Sequence, residues 1–500
     1  ALVLYGGSPH DTAALLNRLQ RESTLPLLVT ADFEGGPGQQ IAGATEFPAN
    51  MALSAAGSEE LAYELGRAGA AEGRAVGIHV TYSPVVDVQT RPDNPVLGVR
   101  SFGPDIELLG RMAGAYIRGY QENGMLATAK HYPGRGDVDL IPGTEFAVNN
   151  KSAGAVEAED FRAFQKAIDA GVTYIMSEHI AVPSVTEGSD LPASVEKALA
   201  ADWLRDRLGF KGILTTDDMW YPKVVERFGA VEACLMAVEA GHDAILKPAD
   251  AIAVIGGLVE AVRSGRFAED RIDRSVKKIL YWKARLNLHR NRFVELDRIP
   301  SMVGIKQHHE LAERIAHRSI TLLKNDGILP VDPSKTAKTV HLSIQKKEID
   351  PAPAAVASKL TAAFPGIRSY FLGPYTSTER YREALESVRN ADLVLVSLFS
   401  QRTVYIDNGP LRKEALEFLG RVFRLKPASA VVMSYGNPYL AESVKEAAAV
   451  AVGYGEGGFY GNQIIYADSL IKLIKGEIKP MGRLPVAVSA SFPVGSGIVD

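Results

Sequence analysis

The feature of this sequence that most limits its fold is a repeated alternation. Short runs of β-branched and other apolar residues, most of them closed by polar or charged residues, are separated by amphipathic stretches. From residue 1 to about 288 the runs predict strands at 27–31, 79–83, 127–131, 174–179, 212–216 and 244–247. Between them lie predicted helices at 58–72, 107–123 and 158–170, the first opened by Ser58 with Glu59 and Glu60 in its first turn. The strand ends carry Asp32 and Glu34, Lys130 and His131, Glu178 and His179, and Asp217 and Asp218. In a β/α barrel, functional groups gather at those C-terminal ends. A doubly wound sheet shows the same alternation, so the pattern leaves both architectures open, and no first strand and helix stand out.

Residues 290–307 are less periodic and read as a linker. A second alternating series follows, with strands expected at 319–324, 339–344, 393–398, 429–434 and 449–452 and helices at 378–389 and 411–424. It reads as an α/β/α sandwich on a mainly parallel sheet. Five hundred residues exceed one ordinary core. The expected organisation is therefore a barrel-type catalytic domain over 1–289, a linker over 290–307 and a sandwich domain over 308–500.

Composition excludes several classes. A formal net charge of −4 leaves no electrostatic footprint for nucleic acid or an acidic membrane. No run reaches the roughly 18 apolar residues of a membrane span; the nearest, 229–246, is broken by Glu232, Glu239, His242 and Asp243. The single cysteine, Cys234, rules out an intrachain disulfide and a thiolate metal cluster. No histidine shows ligand spacing with another His or Cys, so neither metal nor cofactor is expected. The chain opens ALVLYGG without a methionine, which is compatible with removal of an upstream portion. The expectation is a soluble protein, cytoplasmic or periplasmic, of unspecified oligomeric state.

Four segments carry candidate chemistry. GILTTDDM at 212–219 ends an apolar strand in two acids, which places a carboxylate at a pocket mouth or caps a following helix. ATAKHYPGRGD at 127–137 offers Lys130 and His131 as donors to hydroxyls, with a Pro-Gly turn behind them. DNPVLGVRSFG at 93–103 holds Arg100 in a glycine-bracketed loop, either to grip a polyol or carboxylate or to tie loops together. DFEGG at 32–36 puts acids at a strand end before glycines that permit close approach.

Together these segments resemble glycoside hydrolase family 3, nearest its bacterial two-domain β-N-acetylhexosaminidases. The resemblance runs through DFEGG at 32–36, FPANMAL at 47–53, SPVVDV at 83–88, the loop at 94–103, KHYPG at 130–134, MSEHI at 176–180 and Thr216-Asp217. It continues through LLKNDGILP at 322–330, GYGEGG at 453–458 and GRLPV at 482–486, so nearly the whole chain is covered in order. The family implies a (β/α)8 TIM-type barrel, regular or irregular, followed by the sandwich. It implies retaining double displacement on a small β-linked GlcNAc glycoside, with Asp217 as nucleophile. Asp32, Arg100, Lys130 and His131 would then bind the hydroxyls of the sugar in subsite −1. Asp218 would be a helix cap or a carboxylate behind the nucleophile.

The chain departs from that pattern beside the nucleophile. The hexosaminidase branch carries Asp-Ser-His shortly after its Lys-His block, where this chain reads Ile141-Pro142-Gly143. A second sugar-binding arginine is replaced by Gln40, and the loop LFSQR at 398–402 lacks the acid of the β-glucosidase branch. The loop 135–145 supplies Glu145 as the candidate acid/base, with Asp137 and Asp139 as rivals. Three alternatives accompany the β-N-acetylglucosaminidase reading: a β-glucosidase or β-xylosidase, a phosphorylase in which Arg135 favours an arriving phosphate, and a sugar-binding relative without catalysis.

Overall fold

A computed structural model describes residues 2–94, 96–138, 146–346, 351–399, 411–455 and 464–499 of the 500. The chain forms two compact units. One comprises Ala1–Thr45, Ala62–Leu97 and Asp105–Ile305; the other comprises Glu46–Leu61, Gly98–Pro104 and Lys306–Asp500. The second unit thus draws two short segments from the first half of the sequence.

The first unit is built on seven parallel strands hydrogen-bonded in chain order: β1 (Leu2–Val3), β2 (Val29–Ala31), β3 (Val80–Thr81), β4 (Leu126–Tyr132), β5 (Tyr174–Ser177), β6 (Ile213–Asp218) and β7 (Ala244–Leu246). Parallel strands need crossovers, and helices such as Pro9–Glu22, Ile106–Gln121 and Ala230–Ala240 supply them. Pro9–Glu22 starts where Ser8 accepts the Asp11 amide, and Ile106–Gln121 starts where Asp105 accepts those of Glu107 and Leu108.

The sheet curls as a barrel does. Leu28, Val80, Leu126, Tyr174 and Ile213, from the starts of successive strands, converge on Leu288 in one buried layer. Val3 of the first strand and Leu246 of the last meet in another layer with Tyr82 and Met176. Burying each such large side chain contributes about 1.5–3 kcal/mol. In this sheet, the strand that the sequence did not disclose is β1, only two residues long and too short to show a period.

The second unit holds a mixed six-stranded sheet of β8 (Thr321–Asn325), β9 (Thr339–Gln345), β10 (Arg368–Leu372), β11 (Leu393–Phe399), β12 (Ala430–Ser434) and β13 (Ala449–Val452). Their spatial order is β8-β13-β12-β11-β9-β10, and β8 alone runs antiparallel to its neighbour. Helix Ile465–Ile474 packs against Lys306–Ser319 and Pro351–Ala363, and Thr378–Arg389 packs against Lys413–Leu425. The architecture is the expected α/β barrel followed by an α/β sandwich. No helix among the described residues is long and apolar enough to cross a membrane.

Candidate active site

The C-terminal ends of β2, β4, β5 and β6 bring a cluster of charges together. Lys130, closing β4, donates from Nζ to Asp32 Oδ1 at 2.8 Å and to Glu34 Oε1 at 2.7 Å. Its neighbour His131 directs Nδ1 to Asp87 Oδ2 at 2.7 Å. Asp87 also accepts the backbone N–H groups of His131 and Arg135, at 3.2 and 2.7 Å. With the Asp87 carboxylate accepting a hydrogen bond from Nδ1–H, the imidazole is oriented and its unprotonated nitrogen is Nε2.

The turn after β4 needs its glycines for close approach. A Cβ on Gly136 would lie 1.6 Å from the Val88 carbonyl oxygen. Asn94 fastens the same turn, donating to the carbonyls of Arg135 and Gly136 at 3.0 and 2.9 Å. Arg135 is thereby directed inward, where its buried guanidinium pairs with Glu178 Oε2. The other Glu178 oxygen accepts the His179 amide at 2.8 Å.

Asp217, at the end of β6, completes the cluster. Its Oδ1 accepts the amide of Asp218 at 2.7 Å. Donor atoms of His131, Glu178 and Asp217 all lie within 4.8 Å of one another. Those three are therefore the described residues spaced to share a cation, although Arg135 already neutralises Glu178 and leaves one uncompensated charge there. Neither acid caps a helix. The next helix, Pro222–Phe228, begins at Tyr221 without a side-chain cap, and Asp218 Oδ2 binds Lys247 Nζ at 2.8 Å and Trp220 Nε1 at 3.1 Å.

Electrostatics divides the two facing carboxyls. Burial alone would raise Glu178, but the Arg135 guanidinium, with His179 and His131, outweighs it and holds the carboxyl down at about 2. Burial pushes Asp217 the other way, well above an ordinary carboxylate, and the charges of Glu178 and Asp218 add to the rise. An oxygen of each carboxyl lies within 4.8 Å of an oxygen of the other. Glu178, held ionised, nevertheless has no proton to give a leaving group.

Of the residues singled out from sequence, the structure gathers Asp32, Lys130, His131 and Asp217 here. Asp32 and Asp217 are half-buried; Glu34, Asp87 and Glu178 are buried behind them. Arg100 falls in the turn Gly98–Arg100, within a segment of the second unit, where its carbonyl accepts Asn50 Nδ2 at 2.8 Å. Glu145 and Asp139 lie outside the described residues. Sequence reasoning gave no role to Asp87 or Glu178, although Glu178 directly follows β5, the position that marks function in a barrel.

The sequence model described as the glycosyl hydrolase family 3 N terminal domain matches residues 9–281. The chain belongs to glycosyl hydrolase family 3. This family 3 chain is 31% identical over 344 residues to a β-N-acetylglucosaminidase/β-glucosidase of Cellulomonas fimi, an alignment covering 67% of this chain and 61% of that protein. It is 27% identical to β-hexosaminidase A of Pseudoalteromonas piscicida, over 69% of this chain and 62% of that protein. The match thus spans about three fifths of both relatives. Among solved structures, a family 3 β-N-acetylglucosaminidase from Paenibacillus sp. str. FPU-7 superposes with a TM-score of 0.86 at 28% identity, covering 98% of this chain and 93% of that one. The β-glucoside phosphorylase BglX bound to 2FGlc gives a TM-score of 0.86 at 26% identity, covering 98% and 89%.

Proposed function

We propose that this chain is a retaining exo-β-glycosidase acting on β-linked N-acetylglucosaminides, with Asp217 as nucleophile. The observation that carries the reading is the half-buried Asp217 carboxylate at a strand end, facing His131 and Glu178 within 4.8 Å. An Asp217 oxygen attacks the anomeric carbon as the glycosidic C–O bond breaks, and the departing oxygen takes up a proton. Water then attacks the same carbon, freeing Asp217 and giving the sugar with retained configuration. Asp32, Lys130 and His131 hold the sugar's hydroxyls, and Glu145 supplies and recovers the proton. The hexosaminidase names among the relatives support the choice of sugar.

A panel of p-nitrophenyl β-glycosides tests the reading. The GlcNAc glycoside should be cleaved fastest, and Asp217→Asn should lower kcat on the order of 10⁴–10⁶-fold. Faster turnover of the glucoside or xyloside overturns the sugar assignment, and an active Asp217→Asn variant overturns the nucleophile. Sugar binding without turnover would leave a non-catalytic relative. The likeness to a β-glucoside phosphorylase supports a second reading in which phosphate replaces water. Arg135, buried against Glu178, is not the cation to attract it. A sugar 1-phosphate formed in phosphate buffer identifies that reaction; equal rates with and without phosphate, yielding free sugar, exclude it.

A further inference from the structure

Beside the charge cluster, three residues at the ends of other strands form an arrangement that binding the −1 sugar does not require. Tyr5 lies two residues beyond β1, Trp220 two beyond β6 and Lys247 one beyond β7. The rings are half exposed, 50% for Tyr5 and 49% for Trp220, in a fold that buries most of its aromatics. The Lys247 ammonium stands 4.7 Å from the Tyr5 ring centre and 5.3 Å from that of Trp220, close enough to attract both faces. It also reaches Asp218 Oδ2 at 2.8 Å, and the same oxygen accepts the indole N–H at 3.1 Å.

The rings are therefore pinned. Asp218 fixes the edge of the indole, Lys247 sits against both rings, and Lys247 itself holds a left-handed backbone conformation at φ 42°. Ordering two half-exposed aromatic side chains costs rotamer freedom that a solvated surface need not spend. The position adds to this. The charges of Asp32, Asp218 and Asp217 reach the Tyr5 hydroxyl and, after burial, help to hold it protonated. Trp220 follows Asp217 by three residues, and both rings stand at the strand ends with apolar faces next to the Lys247–Asp218 pair, the mixture that binds small ligands. A pyranose matches it, with C–H groups across its face and hydroxyls around its edge.

We propose that Tyr5 and Trp220, spaced by Lys247, form the leaving-group subsite and receive the second sugar ring of a β-linked saccharide. This rests on the glycosidase reading above and extends it, because it makes a disaccharide or longer chain the substrate. Steady-state kinetics on a β-linked GlcNAc disaccharide and on the β-fluoride of the same sugar, which places no ring there, separate the two. For Trp220→Ala and Tyr5→Ala, kcat/KM should fall about tenfold further on the disaccharide than on the fluoride, mainly through KM. Trp220→Phe, which keeps a ring, should recover much of the difference and guards against a folding defect. Equal losses on both substrates, or wild-type enzyme that turns over the fluoride and not the disaccharide, overturn the subsite. Failure of the wild type on every glycoside overturns instead the glycosidase reading on which it rests.

Discussion

The barrel strands end in ionisable groups: Asp32 after β2, Lys130 and His131 in β4, Glu178 after β5, and Asp217 and Asp218 closing β6. The sandwich sheet, equally buried and also largely parallel, satisfies its interior with neutral polar groups. His341 of β9 sits between Ser369 and Ser397 at 3.1 and 2.9 Å, and Tyr454 shares a hydrogen bond with Thr321 at 2.7 Å. Both regions pair most of their buried polar atoms, with Thr128 Oγ1 in the barrel and Ser469 Oγ in the sandwich among the exceptions. They differ in what the pairing leaves over. In the sandwich these groups only close the core, whereas in the barrel Asp217 keeps a charge disfavoured by its surroundings. Stored destabilisation of that kind marks a working site.

The sharpest test of this contrast is Asp217→Asn, which should abolish turnover and yet raise Tm. The folded carboxyl titrates above its unfolded value, so the folded state holds the proton more tightly. Its stability is complete below the unfolded value near 4 and declines as pH rises through the folded pKa. The Tm gain of the variant should therefore be absent in strong acid and grow toward neutral pH. A variant less stable than wild type at pH 7 would show that Asp217 serves the fold.

Next in size is Arg135→Met. Removing one partner of a buried pair leaves Glu178 uncompensated, at a cost of about 3–5 kcal/mol. Adding Glu178→Gln should recover a large part of the loss in a denaturant titration, since a neutral amide needs no counter-charge. If the double variant is as unstable as the sum of the two singles, the pair is not the source of the cost.

These residues also show what could be read in the sequence. The strand ends were legible because apolar runs closed by Asp32, Lys130-His131 and Asp217-Asp218 advertise both the strand and the pocket. The partners were not. Arg135 and Glu178 lie 43 positions apart, and Asp87 and His131 lie 44 apart, distances over which no local period carries information. Arg100 reads from its loop as a sugar ligand, and the assignment of that loop, 98–104, to the second compact unit is a long-range property that no local pattern discloses. Strand β10 escaped notice because Arg368, Ser369 and Phe371 are exposed or half-exposed, which hides the apolar run of an edge strand.

In the sandwich, the matching substitution is His341→Leu, expected to lower stability by about 1–3 kcal/mol, chiefly by stranding the buried Ser397 hydroxyl, with kcat/KM unchanged. Burial lowers the His341 pKa to about 3. A base depressed in the folded state contributes stability above its unfolded value of about 6.5. That stability is lost as pH falls toward 3. The variant's Tm should accordingly fall less steeply than the wild type's between those limits. A parallel pair of Tm profiles would remove His341 from the acid response.

The smallest expected effect lies where the barrel's charges grade into its rim. Lys247 neutralises Asp218, and Asp218 in turn raises the Asp217 carboxyl. Lys247→Met leaves the Asp218 charge acting at full strength, so Asp217 should accept its proton at higher pH. Because the nucleophile works ionised, activity is lost as pH falls through that pKa, and the acid limb of kcat/KM should move upward. The Lys247–Asp218 pair is partly exposed, so the shift should stay below about one pH unit. Measuring it on the glycosyl fluoride keeps the leaving-group contacts of Lys247 out of the comparison. An unmoved acid limb, or one displaced downward, would mean that Lys247 shapes the aromatic rim without tuning the nucleophile.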